Sequence, residues 1–332
     1  MVTYHANDLL PLAQRTGRWV VRKINNQPVL YTTNLGSAIK IVSQEAREVQ
    51  VTVLDNGSAQ VASQFYAYRV DQGQWQRVAA TKGTWTISLP NHQSHLIEVM
   101  TAGNTDLDPV WTGQAGFAIV SITSRLGVLH PAPLQPLVDF IGDSITAGCW
   151  VAGHHASADY RPESNYVGIA SDQLGIDSVR IAYSAGGVLR PATGGVPVAS
   201  QFLSKIDQAT RWAVNQPDMV IVNIGVNDRR YPTDQFVLAY DHFISQVKST
   251  FPNSLILIMV PFSQTFRTEI VRCAHRHHLP VIDTRGWCTS FTDGLHPDQI
   301  GAQTAGQRLA GTLIPFLNKL KEKNNNETLI KH

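Results

Sequence analysis

Residues 138–146 read Val-Asp-Phe-Ile-Gly-Asp-Ser-Ile-Thr and combine an apolar run with side chains that could carry chemistry. The first four residues have the β-favouring pattern of a buried strand, and Gly142 then interrupts it. Asp143 and Ser144 follow at the place where open α/β sheets put their chemistry, the carboxyl end of a strand. A serine there can act as a nucleophile, but Asp and Ser before a helix are more often simple caps. This stretch alone does not decide between the two roles.

Three more stretches of small, polar or ionisable residues follow predicted strands or lead into a predicted helix. They are Ala182–Gly187, Asn223–Asp228 and Asp293–Pro297. The small residues of the first stretch allow backbone N–H groups to come close to a ligand. Pro297 suits the first position of a helix, so His296 is predicted on an exposed loop at the helix entry.

These residue types match the requirements of serine hydrolysis, which needs a hydroxyl, a base, an orienting carboxylate and donors for an oxyanion. Ser144 is the predicted nucleophile, and His296 is the base that passes the proton to the leaving alcohol. Asp293 stands three residues before His296 and is the predicted orienting carboxylate. The candidate oxyanion donors are the N–H of Ser144, the N–H of Ala185 or Gly186, and the side-chain amide of Asn227.

Each stretch also has an ordinary structural explanation. Asn227 and Asp228 could form a turn, Asp293 could cap a helix, and the Ala-Gly-Gly segment could reflect close packing. His296 is one of 12 histidines. Each of these explanations is at least as common as the functional one. The occurrence of all four stretches in this order favours the functional interpretation.

The four stretches together resemble the sequence blocks of the SGNH (GDSL-type) hydrolase superfamily, over about the last two hundred residues. The matching blocks are Gly142-Asp143-Ser144, Ser184–Gly187, Gly225–Asp228 and Asp293–His296. The resemblance implies a flavodoxin-like α/β/α fold and a metal-independent serine esterase or acyl hydrolase. The second block usually has Gly directly after its serine, where this chain has Ala185. The resemblance therefore leaves open whether Ala185 or Gly186 donates to the oxyanion.

The elements before this region look entirely β. Between about residues 17 and 125, strand-forming runs follow one another without an amphipathic helix, which is typical of a β-sandwich or jelly roll. The predicted strands are 18–22, 29–33, 38–42, 49–54, 65–70, 75–78, 85–89, 95–100 and 117–122. Residues 1–130 are accordingly predicted as a sandwich domain, with a short helical arm at 8–13.

The pattern changes after a proline-rich segment. Residues 131–136 are predicted to form a stiff linker. Residues 137–320 alternate strands with helices, which indicates a parallel sheet covered on both faces. The predicted strands are 137–141, 179–183, 219–224, 255–260 and 281–282, and apolar helix faces occur at 236–247 and 309–320. Residues 321–332 are predicted as a frayed polar tail.

A β-sandwich ahead of an SGNH domain is similar to carbohydrate esterase family two, which removes acetyl groups from sugars and xylan fragments. Residues 65–71 and 89–99 resemble the sandwich of that family. Trp150 and Trp287 lie near the predicted site in sequence and could line a sugar-binding cleft. Ordinary packing is an equally common role for these side chains.

Composition and charge argue against several other classes of protein. The chain has 332 residues, 43% of them hydrophobic and 16% charged, with a formal net charge of +2 and no basic stripe for nucleic acid. No apolar run is long enough to cross a bilayer, and the first residues lack a secretory signal. Cys149, Cys273 and Cys288 have no paired spacing, which indicates reduced thiols and a cytoplasmic location, with one disulfide as the alternative.

Two further motifs are set aside. His275 and His278 share a predicted helix face, but no carboxylate or cysteine completes a set with known metal-ligand spacing, so no metal or cofactor is predicted. The glycine-rich run 186–195 lacks the Lys-Ser/Thr ending of a phosphate loop. It is predicted to be a flexible loop beside the active site.

The sequence therefore predicts a cytoplasmic serine esterase that removes short acyl groups, principally acetyl groups, from carbohydrates. Its predicted partner is a small-molecule or oligosaccharide ester, with no nucleic acid or membrane partner. The alternatives are a lysophospholipase or thioesterase, and a carbohydrate-binding protein whose hydrolase domain is idle. The sugar, the acetyl position, the acyl-length limit and the oligomeric state stay open, as does any contribution of the sandwich to the cleft.

Overall fold

The computed structural model describes the backbone of residues 1–57 and 64–330, and the side chains of those residues up to 322. Two antiparallel sheets occupy the first part of the chain, and a five-stranded parallel sheet occupies the second. The fold class is confirmed: an α/β domain with a parallel sheet follows an all-β sandwich.

The sandwich strands bury alternate side chains in one core between two sheets. In the strand 48–54, for example, Val49, Val51 and Val53 are buried while the residues between them are half-buried. The strands are β1 (Val2–His5), β2 (Val20–Ile24), β3 (Gln27–Thr32), β4 (Ala38–Gln44), β5 (Glu48–Leu54), β6 (Phe65–Val70), β7 (Gln76–Ala79), β8 (Thr84–Ser88), β9 (His95–Gly103), β10 (Phe117–Ser124) and β11 (Val128–Pro131). One sheet has the order β2-β3-β10-β5-β8 with β1 also paired to β10, and the other has the order β11-β4-β9-β6-β7.

The ends of the sandwich depart from the sequence prediction in two places. β1 was not predicted, and β11 extends into the first residue of the predicted linker. Pro131 is tolerated in β11 because this edge strand pairs on one side only, with β4. The predicted arm is present as α1 (Ala6–Ala13), whose Leu9 and Ala13 are fully buried against the sandwich core.

The parallel sheet has the flavodoxin-like strand order that the resemblance implied. Its strands are β12 (Leu137–Gly142), β13 (Asp177–Ala182), β14 (Met219–Asn223), β15 (Leu255–Met259) and β16 (Val281–Ile282). The order β13-β12-β14-β15-β16 places β12 where the winding reverses. Crevices form at such a switch point, outside the carboxyl ends of the strands. The residues after Gly142 therefore open onto a crevice.

Helices cover both faces of this sheet. They are α2 (Ser144–Ala147), α3 (Tyr166–Leu174), α4 (Ala199–Phe202), α5 (Thr233–Thr250), α6 (Arg267–Arg276) and α7 (Gln299–Ile330), with 3₁₀ turns at 80–82, 162–164 and 226–228. Val138 and Phe140 of β12 belong to the apolar cluster formed with α3 and α7. Ile141 points to the other face and belongs to the cluster formed with α5 and α6. Apart from the buried Asp139, β12 is therefore apolar on both faces, as expected of a parallel strand that helices cover on both sides.

The last helix continues beyond its predicted end. The backbone of α7 is helical to Ile330, through the segment that was predicted to be a frayed tail from residue 321. Lys321, Glu322 and Lys323 are good helix formers, and no Gly or Pro follows to stop the helix. Although α7 has 32 residues, no helix in the described ranges is both long and apolar enough to cross a membrane.

A buried arginine links the two domains. Arg18 is fully buried, and it donates hydrogen bonds to Asn34 Oδ1 (2.8 Å) and Tyr183 Oη (2.9 Å). It also donates to the carbonyls of Phe202 (2.8 Å) and Lys205 (3.0 Å). Because Tyr183, Phe202 and Lys205 belong to the hydrolase domain, one sandwich side chain satisfies polar atoms on both sides of the interface.

Replacing Arg18 should destabilise the whole chain. Arg18→Ala leaves a buried carbonyl, a half-buried carbonyl and a buried amide oxygen without this donor, so we expect the free energy of unfolding to fall by roughly 3–5 kcal/mol. Urea denaturation measures this loss. Arg15→Ala is the matched control, because that side chain is 39% exposed and its ion pair with Asp177 is long, at 3.8 Å. Its loss is expected within about 1 kcal/mol of zero. Equal losses in the two variants would contradict the role given to Arg18.

Candidate active site

Ser144 lies directly at the carboxyl end of β12. Asp143 has extended backbone and caps α2 by accepting the Ile145 N–H at 3.0 Å, and Ser144 is the first helical residue. Gly142 is required by a close approach, since a Cβ there would lie 2.1 Å from Thr146 Oγ1. The two roles that the sequence left open thus belong to two neighbouring residues. Asp143 forms the cap, and Ser144 presents its hydroxyl.

A continuous hydrogen-bonded chain joins Ser144, His296 and Asp293. The Ser144 hydroxyl lies 2.8 Å from His296 Nε2, and His296 Nδ1 lies 2.8 Å from Asp293 Oδ2. A carboxylate at Nδ1 requires the proton on that nitrogen, which leaves Nε2 as the acceptor for the serine proton. Ser144 is 3% exposed and His296 is 8% exposed, so the pair is largely shielded from water.

Asp293 is held in its ionised form by its own loop. Burial alone would raise its pKa, but hydrogen bonds from the backbone and the ring of His296 hold the pKa below its usual value. Its Oδ1 accepts the N–H groups of Leu295 (3.1 Å) and His296 (2.8 Å). The carboxylate is therefore charged over the pH range in which an imidazole gains a proton, and it favours the imidazolium form.

The histidine loop is tied to Trp150. The Thr292 hydroxyl donates to the Trp150 carbonyl at 2.6 Å, and the Thr292 N–H donates to the His296 carbonyl at 2.9 Å. The Trp150 ring lies 6.3 Å from the His296 ring and 5.1 Å from the Tyr160 ring, between centroids. Trp150 has a positive φ of 63°, which is uncommon for a bulky residue. This sequence-predicted wall residue is at the site.

Trp287 is the second predicted wall residue. It is half-buried and packs against the apolar cluster beneath α7. Among the described residues, no ring contact or hydrogen bond joins it to Ser144 or His296. That this side chain lines the cleft stays a prediction.

The structure distinguishes the two candidate donors of the second block. The Gly186 N–H donates to the Tyr183 carbonyl at 3.1 Å, whereas the Ala185 N–H has no acceptor among the described residues. Ala185 has φ of 62°, in the left-handed region that favours glycine. This conformation explains why glycine is usual at this place in the resembling sequences. Of the two candidates, only the Ala185 N–H is without an acceptor in the described part of the chain.

Asn227 is oriented by contacts that the sequence did not indicate. Its side-chain amide donates to the Gly186 carbonyl at 3.0 Å, and Arg190 Nη1 lies 3.3 Å from Asn227 Oδ1. A guanidinium on Oδ1 fixes which end of the amide is the NH₂ group. Local sequence patterns could not pair Arg190 with Asn227, because the two residues are 37 positions apart in the chain.

Asp228 anchors the glycine-rich run that was predicted to be a flexible loop. Its buried carboxylate accepts the N–H groups of Val188, Leu189 and Arg190, each at 2.9 Å. A Cβ on Gly187 would lie 2.3 Å from the same carboxylate, so the loop approaches Asp228 as closely as glycine permits. With the two contacts of Asn227, this loop is tied to the third block by five hydrogen bonds.

One group of potential metal ligands lies away from the site. The ligand atoms of Asp241, Cys273 and His277 lie within 4.8 Å of one another. The Arg276 guanidinium already contacts Asp241 Oδ1, at 2.7 Å from Nη2, and His277 Nε2 lies 3.2 Å from the same oxygen. These contacts make the group an ion-pair cluster on the surfaces of α5 and α6.

Residues 140–304 match a family model described as the GDSL-like Lipase/Acylhydrolase family. This match confirms the resemblance that the four sequence blocks indicated. Among curated proteins, the cellulase/esterase CelE of Acetivibrio thermocellus is 24% identical in an alignment over 213 residues that covers 55% of this chain and 26% of that protein. The chain thus spans about a quarter of the length of that relative.

Solved structures share the fold across both domains. A family two carbohydrate esterase from Clostridium thermocellum, in complex with cellohexaose, has 21% identity and a TM-score of 0.70, covering 92% of this chain and 98% of that chain. An acetyl xylan esterase from the rumen bacterium Butyrivibrio proteoclasticus has 15% identity and a TM-score of 0.72, covering 96% of this chain and 100% of that chain. At such identities the likeness establishes the architecture of sandwich and parallel sheet.

The buried cap beside Ser144 predicts a dependence of stability on pH. Burial raises the pKa of Asp143 to about 7, although the hydrogen bond from the Ile145 N–H acts to lower it. An unfolded Asp has a pKa of about 3.9, so between these values the folded chain keeps a proton that the unfolded chain has lost. This group therefore makes the chain less stable as the pH rises from about 4 to about 7, with no further change above.

Asp143→Asn isolates this effect, since Asn keeps the capping oxygen and does not titrate. We expect the free energy of unfolding of the variant, minus that of the wild type, to grow between pH 4 and 7 and then level off. Urea denaturation at a series of pH values measures the difference. A difference that stays constant over this range would show that Asp143 titrates alike in the folded and unfolded chains.

Proposed function

We propose that this chain, whose hydrolase domain belongs to the GDSL-like lipase/acylhydrolase family, is a serine esterase that removes acetyl groups from carbohydrates. The observation that carries the proposal is the hydrogen-bonded chain from Ser144 through His296 to Asp293, at the end of the central strand. The family match supports the reaction class, and the geometry supports the role proposed for each side chain.

In the proposed reaction, Ser144 Oγ attacks the ester carbonyl carbon while His296 Nε2 takes the hydroxyl proton. Asp293 stabilises the resulting imidazolium without taking its proton. The tetrahedral intermediate collapses, the C–O bond to the sugar breaks, and His296 gives the proton to the leaving alcohol. Water then attacks the acyl-serine with His296 again acting as the base. Acetate leaves, and the Ser144 hydroxyl is restored.

The proposed oxyanion donors are the N–H groups of Ser144 and Ala185 and the side-chain amide of Asn227. Ala185 is favoured over Gly186 because the Gly186 N–H already donates to Tyr183. Donors that are fixed before the reaction stabilise the developing charge without having to reorganise during the chemical step. Arg190 on Asn227 Oδ1 supplies this fixation for the amide.

Two observations support a carbohydrate acetyl ester as the substrate class. The architecture of both domains is shared with a family two carbohydrate esterase bound to cellohexaose and with an acetyl xylan esterase. Trp150 offers an aromatic face beside His296, and aromatic faces suit sugar rings. A cytoplasmic location stays a prediction.

Acyl-chain selectivity tests the reaction and its substrate class together. We expect rapid hydrolysis of 4-nitrophenyl acetate, slower hydrolysis of the butyrate and little of the octanoate. Ser144→Ala should lower turnover by at least about 10³-fold because the nucleophile is lost. A preference for octanoate would favour the lysophospholipase or thioesterase alternative. Binding of an acetylated oligosaccharide without turnover would favour a carbohydrate-binding protein.

Asn227→Ala should impair turnover while the chain stays folded. Loss of one oxyanion donor typically costs about 10²–10³ in kcat, and we expect a loss of this size with little change in KM. Steady-state kinetics with the acetate ester measure it. Asn253→Ala is the control, since Asn253 is an exposed residue in the turn between α5 and β15. Near-normal turnover in Asn227→Ala would remove Asn227 from the site.

A further inference from the structure

We propose that Asp106, a residue of the sandwich domain, positions the oxyanion donor of the hydrolase domain. The residue acts through Thr193 on the peptide unit that joins Ser184 to Ala185. The inference deepens the proposed function and rests on it, because it concerns the N–H that is assigned there to the oxyanion.

Thr193 connects Asp106 to this peptide unit. The Thr193 hydroxyl lies 3.1 Å from Asp106 Oδ1 and 3.3 Å from the Ser184 carbonyl oxygen. The Thr193 N–H also donates to the Ser184 carbonyl, at 2.9 Å. A hydroxyl has one proton, and an ionised carboxylate is a stronger acceptor than a carbonyl. Asp106 therefore controls the direction of the hydroxyl, and with it the position of Thr193 against Ser184.

Holding the Ser184 carbonyl also fixes the Ala185 N–H. A trans peptide unit is planar, and its C=O and N–H point in opposite directions. Thr193 holds the carbonyl on one side of the unit, so the N–H is directed to the other. The next peptide unit is held by the hydrogen bond from the Gly186 N–H to the Tyr183 carbonyl. Between these two contacts, Ala185 stays in its left-handed conformation, with φ of 62°.

The sandwich loop that carries Asp106 is held in place by contacts within itself and with the hydrolase domain. This loop follows β9, and the Thr105 N–H donates to Asp108 Oδ2 at 2.9 Å within it. The Trp111 N–H donates to the Gly194 carbonyl at 3.1 Å, and a Cβ on Gly194 would lie 2.5 Å from the Asp108 carbonyl oxygen. The loop thus contacts the residue after Thr193 as well. Asp106 reaches Thr193 from a segment that is already docked on the hydrolase domain.

The contact is not needed to hold the domains together. Arg18 crosses the interface fully buried, and Lys40 Nζ lies 3.1 Å from Asp177 Oδ1 at the amino end of β13, the strand whose carboxyl end leads to Ser184. Asp106 is only half-buried, so removing one hydrogen bond from it should change global stability little. Asp106 also faces Tyr160, which packs against Trp150. An effect on turnover that Asp106→Ala shares with Thr193→Val would therefore come from the local geometry at Ser184.

Four substitutions test the connection at both of its ends. Asp106→Ala and Thr193→Val remove the contact, whereas Asp106→Asn and Thr193→Ser keep an acceptor and a hydroxyl. With 4-nitrophenyl acetate, we expect kcat to fall roughly ten-fold in the first pair, with KM within two-fold of the wild type. The conservative pair should stay within about three-fold of the wild-type kcat. Thr193→Val is nearly isosteric and keeps the backbone N–H, so it is expected to fold.

Inhibition by phenylboronic acid separates positioning from a general structural role. Boron adds to the Ser144 hydroxyl, and one oxygen of the tetrahedral adduct occupies the oxyanion position. We expect Ki to rise roughly ten-fold in Asp106→Ala and Thr193→Val, while the melting temperature changes little. Lys40→Ala removes a contact at the same domain interface far from Ser184, and it should leave kcat and Ki unchanged.

The outcomes are distinct. A kcat and a Ki within two-fold of the wild type in Asp106→Ala and Thr193→Val would overturn the positioning role and leave the esterase proposal intact. If Lys40→Ala lowers kcat and raises Ki by the same factors, the domain interface acts only through general stability. That result also overturns the positioning role. Absence of serine-dependent turnover in the wild type would defeat the proposed function, and the positioning role with it.

Discussion

The His296 ring must stay between two oxygens, Ser144 Oγ on one side and Asp293 Oδ2 on the other, at 2.8 Å from each. Ser144 and His296 are 152 residues apart in the chain, so only the fold can maintain this spacing. The parallel sheet provides it by placing β12 at the switch point and by bringing the loop before α7 to the same edge. The short hydrogen bond from Thr292 to the Trp150 carbonyl then joins that loop to the segment after Ser144.

Two buried carboxylates near Ser144 accept hydrogen bonds from the backbone. Asp143 caps the helix that begins at Ser144, and Asp228 collects three N–H groups from the loop that carries Arg190. Burial raises the pKa of both, although hydrogen bonds from the backbone act in the opposite sense. The proposed site thus uses its buried acids to hold loops. It leaves the better solvated Asp293, whose pKa is lowered, to stabilise a charged imidazole.

Much of this arrangement could be predicted from local sequence signals. The apolar run before Gly142 predicted β12, and the four blocks each followed or preceded the predicted element. What local patterns could not supply were contacts between distant segments, such as Arg190 with Asn227 or Asp106 with Thr193. β1 and β11 were missed for a related reason. Each is four residues long and forms because a partner strand lies beside it, β10 for one and β4 for the other.

The choice between Ala185 and Gly186 shows the same limit of sequence-based prediction at a single residue. The sequence contains two adjacent N–H groups, and composition cannot tell which is free. The fold decides by using the Gly186 N–H for a turn with Tyr183, which leaves Ala185 in a left-handed conformation. Roughly 1–2 kcal/mol of strain is associated with that conformation in a residue other than glycine. A cost of this size can be sustained where surrounding contacts determine the backbone.

The sandwich supplies contacts to the segments that form the walls of the proposed site. Arg77 donates to Glu163 Oε1 at 2.8 Å and to the Ser157 carbonyl at 3.2 Å, both on the hydrolase segment that follows Trp150. A Cβ on Gly103 of β9 would lie 2.4 Å from the same Ser157 carbonyl oxygen, so that segment lies directly on the sandwich. Asp106 of the sandwich also reaches Thr193. The hydrolase domain therefore carries Ser144, His296 and Asp293, while side chains from the sandwich contact two of the segments around them.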